Sequence, residues 1–176
     1  MKKNTILTLL MLLILISCKR GDMPKLKTVD YVNLEKFMGD WYVIAIIPNF
    51  IEKNAVNGIE SYQLLTNDRV KIDYKFAKKT PEGKVKHLEP KAWIYDTESN
   101  AEWRVQFFWP LKVPYLIIDL AEDYSYTVIG EPSRKFVWIM ARKPRLADET
   151  YQRILQKLAK MGYETDKIEK MPQIWK

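Results

Sequence analysis

Between residues 41 and 141 about eight short apolar stretches follow one another, each ended by turn residues, and a helical repeat comes only after the last. The clearest stretch is 70–76, where Val70, Ile72, Tyr74 and Phe76 alternate with Lys71, Asp73 and Lys75 in a strict period of two. Trp103, Val105 and Phe107 alternate with Arg104 and Gln106 in the same way. Residues 41–47 are apolar nearly throughout, the pattern of a strand buried on both faces. Stretches 59–65, 85–95 (bent at Glu89-Pro90), 115–120, 126–129 and 136–141 complete the series. Thr66-Asn67-Asp68 and Lys79-Thr80-Pro81-Glu82-Gly83 supply turns between them. This spacing predicts an all-β sandwich or up-and-down barrel. A closed antiparallel barrel of eight strands suits it best, because closure removes edge strands and eight strands leave room for one small ligand.

Two short helical patterns flank the strands. Residues 29–38 have a helical character that stops at Gly39. Tyr151, Ile154, Leu155 and Leu158 fall at i, i+3, i+4 and i+7, one apolar face of an amphipathic helix packed outside the sheet. Asp148 is the N-cap this pattern predicts, and Gly162 the C-terminal stop.

At 176 residues the chain predicts one domain. Its 47% hydrophobic and 29% charged residues exclude a mainly disordered chain and a multi-span membrane protein. A single cysteine leaves the monomer no internal disulfide, and a single histidine leaves no material for a multi-histidine metal site. Six Trp, ten Tyr and six Phe predict either an aromatic core or an aromatic-lined cavity.

The first seventeen residues read as a secretory leader: Met1-Lys2-Lys3, then a short apolar run over 6–16. The run is shorter than the ~20 apolar residues that span a bilayer. Leu15-Ile16-Ser17-Cys18 resembles the bacterial lipobox, which implies cleavage before Cys18 and acylation of its thiol and new amino group. More than one acyl chain makes such an anchor stable. Residues 18–28, polar and broken by Gly21 and Pro24, read as a tether, and 29–176 as the domain. Residues 1–17 carry Lys2 and Lys3 and no acid, so the chain stays net positive without them, a balance that either favours anionic lipid or serves as a solubilising surface. No nucleic-acid-binding motif is present.

Gly39-Asp40-Trp41-Tyr42 matches the G-x-W motif that opens the first strand of lipocalins, and residues 136–144, with Arg142, resemble their last strand and its arginine. Ile47-Pro48-Asn49-Phe50 and Phe107-Phe108-Trp109-Pro110 resemble segments of the bacterial outer-membrane lipocalins, the group related to apolipoprotein D. The resemblance runs from Val29 to the end of the chain. It departs at Ala121-Glu122-Asp123-Tyr124, where an alanine stands at the usual acid. It implies a bacterial envelope protein, lipid-anchored at the outer membrane. It also implies structural roles for Gly39, Trp41 and Arg142: the indole plugs the closed end of the barrel and the guanidinium lies across it.

Alternation then selects the inward side chains, the candidate ligand lining. These are Val70, Ile72, Tyr74 and Phe76; Ala92 and Ile94; Trp103, Val105 and Phe107; Leu116 and Ile118; Trp138 and Met140; with Ile59 and Ser61 from the second strand. Near Trp41 such residues fill the barrel, and near the mouth they line a cavity suited to an acyl chain. The expected ligand is a fatty acid, lysophospholipid or similar amphiphile; a tetrapyrrole, sterol or other hydrophobe is the alternative on the same fold. A lipid-acting enzyme and a filled barrel serving protein contacts are further alternatives. No catalytic residue, cofactor or metal is expected. His87 stands alone among Lys84, Lys86 and Lys91 and reads as solvated, and no Ser/His/acid set or phosphate loop is present. The sequence leaves the oligomeric state open, a dimer included.

Overall fold

The structure, a computed structural model, describes residues 24–175. The leader 1–17 and Cys18 lie outside the described residues. A one-turn helix α1 (Leu34–Phe37) leads into β1 (Gly39–Ile46). The strands β2 (Ala55–Leu64), β3 (Arg69–Lys78), β4 (Val85–Leu88) and β5 (Lys91–Ile94) follow. Then come β6 (Glu102–Phe108), β7 (Leu111–Leu120), β8 (Tyr126–Gly130) and β9 (Val137–Ala141). Helix α2 (Asp148–Lys160), a 3-10 turn (Thr165–Lys167) and β10 (Glu169–Lys170) end the chain.

Consecutive strands pair antiparallel, and β9 returns to β1, so the sheet closes on itself. Both β4 and β5 pair with β3, which makes them two halves of one barrel strand. Glu89-Pro90 separates them, since a proline has no N–H for the ladder. The barrel therefore has eight strands. One edge of β1 is shared: residues 39–42 pair with β2 and 45–46 with β10.

The core has two compartments. Inside the barrel lie Trp41, Val43, Ile72, Phe76, Trp103, Ile117 and Met140 among others. Outside, Ile44, Leu116, Ile118, Val128 and Ile139 meet Tyr151, Ile154 and Leu158 of α2. This second layer is why β1, β7, β8 and β9 read as apolar runs: the helix covers their outer face. Gly162 ends α2 in the left-handed region at φ +88°, and its N–H bonds the carbonyl of Ala159. Asp148 is not the cap: it is the first helical residue, where its charge favours the helix N-terminus, and Ala147 occupies the cap position.

Two strands present the face opposite to the one expected. Leu116 and Ile118 belong to the helix-side layer, while Tyr115 and Ile117 point into the barrel. The pairing of β7 with β8 shifts between Ile117 and Asp119, an irregularity that sets Ile118 and Asp119 on the same side. Asp119 there accepts a bond of 2.8 Å from Lys157 of α2. On β2, Ile59 stands opposite Tyr42 and Lys75, and Ser61 opposite Asp40 and Asp73, all on the outer face. Glu60 and Tyr62 take the inner face, with Glu60 opposite the inward Trp41 and Tyr74.

Candidate functional site

The closed end is built by Gly39, Trp41 and Arg142. Trp41 is fully buried, and its Nε1 donates to the carbonyl of Phe37 at 2.8 Å. Arg142 spans the end of the barrel. Its Nη2 donates to the carbonyls of Lys36, Phe37 and Met38 at 2.6, 3.0 and 2.9 Å, and Nη1 donates to that of Asp40 at 2.8 Å. It thereby satisfies carbonyls that a one-turn helix leaves free. Gly39 enters the strand at φ +89°, a conformation glycine adopts without strain.

Above the plug the barrel is filled by rings. Phe37 lies 5.1 Å from Trp41 and 5.5 Å from Trp103, and Trp103 stacks on Tyr115 at 5.7 Å. Tyr115 then stacks on Trp138 at 6.4 Å. Val70, Ile72, Phe76, Ala92, Ile94, Trp103, Val105 and Met140 all lie in this interior core. Trp103 is fully buried below the cavity, with its Nε1 on the carbonyl of Asn100 at 2.9 Å.

At the open end the filling stops, leaving a cavity of about 420 Å³. Of the side chains selected by alternation, Tyr74, Phe107 and Trp138 line it. The loop after β1 adds Phe50 and Ile51, the β6–β7 hairpin adds Phe108, Leu111 and Val113, and Phe136 comes from the turn before β9. Much of this rim faces solvent: Phe50 is 87% exposed, Phe108 69% and Leu111 71%, and Trp109 at the hairpin tip is 87% exposed.

The polar part of the cavity is acidic. Glu52 is 2% exposed and Glu60 7%. Trp138 Nε1 and Tyr74 Oη both donate to Glu52 Oε1, at 2.8 and 3.0 Å, and Asn49 Nδ2 donates to Oε2. Burial pushes the Glu52 carboxyl up, against the pull of these bonds and of Lys78. Burial pushes Glu60 up to about 8; the Tyr62 and Tyr115 hydroxyls counter this, and the neighbouring Glu52 charge adds to it. The buried phenols of Tyr62, Tyr74 and Tyr115 are pushed up as well, so they remain protonated donors. Of these groups alternation finds Tyr74 and Trp138 and misses Glu52, Glu60, Tyr62 and Tyr115. It takes Glu60 for a solvated charge, although the large ring of Tyr62 two residues on marks the inner face of that strand. Glu52 sits in a loop, where period-two patterning says nothing.

Elsewhere, His87 is half-exposed on β4, its Nε2 3.1 Å from Asp73 Oδ2. With Glu89 these residues bring three ligand-type atoms within 4.8 Å of one another on the outer face of the barrel.

An eight-stranded barrel plugged by tryptophan under arginine, with a cavity at the other end, defines a hydrophobe-binding protein. The Lipocalin-like domain family matches residues 32–173, and the chain belongs to that family. It is 30% identical to temperature-induced lipocalin-1 of Arabidopsis thaliana, over 86% of this chain and 85% of that protein. It is 24% identical to the outer membrane lipoprotein Blc of Escherichia coli (strain K12), over 88% of each. Identity to mouse (Mus musculus) apolipoprotein D is 28%, over 84% of this chain and 80% of that one. Among solved structures, insecticyanin of the tobacco hornworm Manduca sexta superposes with a TM-score of 0.67 at 18% identity, covering 86% of each chain. The family consists mainly of binding and transport proteins.

Proposed function

We propose that this protein is a lipid carrier of a bacterial cell envelope. It takes a single-chain amphiphile, such as a fatty acid or lysophospholipid, into the cavity at the open end of the barrel, and it is held to the outer membrane by acyl chains on Cys18. The observation that carries this reading is the cavity itself: apolar walls of Phe107, Leu111, Val113, Phe136 and Trp138, reached through a rim of exposed aromatic rings. Such walls reward an acyl chain by roughly 0.8 kcal/mol per buried methylene.

The course of the N-terminal segment supports an anchor on the same side as the mouth. Arg134, in the turn between β8 and β9, donates through Nη2 to the carbonyl of Pro24. That turn also supplies Glu131 and Phe136 to the cavity. From there the chain runs toward the closed end, where the Val32 N–H bonds the carbonyl of Ser99 at 2.8 Å. Cys18 stands six residues before Pro24, a reach of about 20 Å at full extension. A lipid on Cys18 then holds Phe50, Phe108 and Trp109 toward the membrane, where a ligand passes between bilayer and barrel. The name of the Escherichia coli relative, an outer membrane lipoprotein, agrees with this placement.

Native mass spectrometry of the domain purified from membranes tests the ligand, and palmitate labelling tests the anchor. Co-purified acyl lipid and loss of label in Cys18→Ser are expected. A barrel that is empty and takes up neither dodecanol nor lysophospholipid overturns the carrier reading. A Cys18→Ser protein that still labels and sediments with membranes overturns the anchor.

A further inference from the structure

The ionisable side chains that line the cavity are acids and phenols, with no base among the described residues. The acids are Glu52, Glu60 and Glu131. Glu131 sits at the rim, where its carboxylate accepts from the backbone N–H of Ser133 and Lys135 at 2.7 and 2.6 Å. Glu52 and Glu60 lie deeper and are almost wholly buried. The groups facing Glu60 are the hydroxyls of Tyr62 and Tyr115 and the carboxyl of Glu52. Lys78 pulls on Glu52 from behind the loop, but its ammonium donates to the carbonyls of Ile51 and Lys53 instead of entering the cavity.

This lining treats amphiphiles of equal length unequally. A carboxylate brought to the inner end meets acidic groups and no cation, and gives up its hydration shell without a counter-ion. An ammonium brings the missing charge and three N–H donors to a set of buried acceptors. A neutral hydroxyl stands between the two. Resting on the carrier reading above, we propose that Glu60, assisted by Glu52, makes this cavity selective for amphiphiles with a cationic, hydrogen-bond-donating head, long-chain amines, over fatty acids of the same length.

The test compares dodecylamine, dodecanol and dodecanoate on the purified domain, read by calorimetry and by the emission of Trp138, whose indole N–H is bonded to Glu52. Wild type is expected to bind the amine about tenfold more tightly than the alcohol, and the acid no more tightly than the alcohol. Glu60→Gln keeps shape and a polar contact while removing the acid that can give its proton up when an ammonium enters. It is expected to bring the amine to within about threefold of the alcohol, read as the amine-to-alcohol ratio within that variant. Glu52→Gln is the second variant, with the same direction of change, should Glu60→Gln fail to fold. Dodecanoate binding as tightly as dodecylamine in wild type overturns the selectivity, as does an amine-to-alcohol ratio unchanged in whichever variant folds. If dodecanol and lysophospholipid bind while the amine gains nothing, this inference alone falls. If none of the probes binds, the carrier reading falls with it.

Discussion

The guanidinium carbon of Arg142 lies 3.7 Å from the ring centroid of Trp41, and the same guanidinium closes onto four backbone carbonyls. One side chain thus joins the first and last strands of the barrel to the helix that caps them. A cation over an indole contributes about 0.5–2 kcal/mol, and each charged hydrogen bond adds to it.

Trp41→Ala removes the plug and is expected to destabilise the domain by about 3–5 kcal/mol, the range for a large buried aromatic. Arg142→Ala is expected to cost less, and Arg142→Lys to recover only part, since an ammonium lacks the planar fork. Denaturant unfolding of the three variants checks the order. Variants that unfold like wild type would remove Trp41 and Arg142 from the base.

Gly130 predicts a second, separate sensitivity. A Cβ there would run into Tyr163 Oη and would stand 2.8 Å from Ile118 Cδ1 and 3.2 Å from Leu26 Cδ2. Gly130→Ala is expected to cost about 1–3 kcal/mol, the usual range for overpacking. Adding Tyr163→Phe relieves the nearest clash, so the double variant should be more stable than the sum of the singles. Thermal melts of all three decide it.

Phe107 and Leu116 sit on opposite sides of the wall, which separates binding from folding. Phe107 is 47% exposed at the cavity rim, so Phe107→Glu should fold and bind a single-chain lipid roughly tenfold more weakly. Leu116 is buried beneath α2, so Leu116→Glu leaves an unpaired charge there and is expected to lose about 3 kcal/mol or more of stability. Trp138 emission and denaturant melts on both variants check the split; a stable Leu116→Glu would refute the assigned face.

Stability should fall as pH rises toward the Glu60 value. Its folded value of about 8 lies above the ordinary 4.5, so between the two the folded protein binds more protons than the unfolded chain. The contribution is therefore complete below pH 4.5 and diminishes up to about pH 8. Tyr62, Tyr74 and Tyr115 stay protonated across this window, and Glu52, also raised, adds in the same direction. Glu60→Gln should flatten the pH profile and gain on wild type near pH 8. A wild-type stability that rises from pH 5 to 8 as steeply as the variant's would contradict the burial of this acid.

Strand number, antiparallel order, the bend at Glu89-Pro90, the outer helix and the Trp41–Arg142 base are all legible in the chain alone. All but the base are written in local pattern: period-two alternation, a proline or a 3.6-residue repeat; the base is what the resemblance of the Gly39-x-Trp41 and Arg142 segments to lipocalins implies. Facing is legible only where one side of a strand meets water, as at Val70, Ile72, Tyr74 and Phe76. On β7 both sides are apolar, so alternation carries no sign, and the shift at Ile117–Asp119 leaves Ile118 and Asp119 together on the helix side. On β2 the inner face holds Glu60, which a rule of apolar-inward sends to solvent. The acidic end of the cavity depends on Glu52 folding in from a loop to meet Trp138, 86 residues away, and Tyr74. The sequence by itself determined a closed barrel, because strand alternation is local and every strand edge needs a partner; its Trp41–Arg142 base, which joins distant parts of the chain, came through the resemblance to lipocalins. Only the tertiary structure decided which acids face the cavity, because that depends on register and on contacts between residues far apart in the chain.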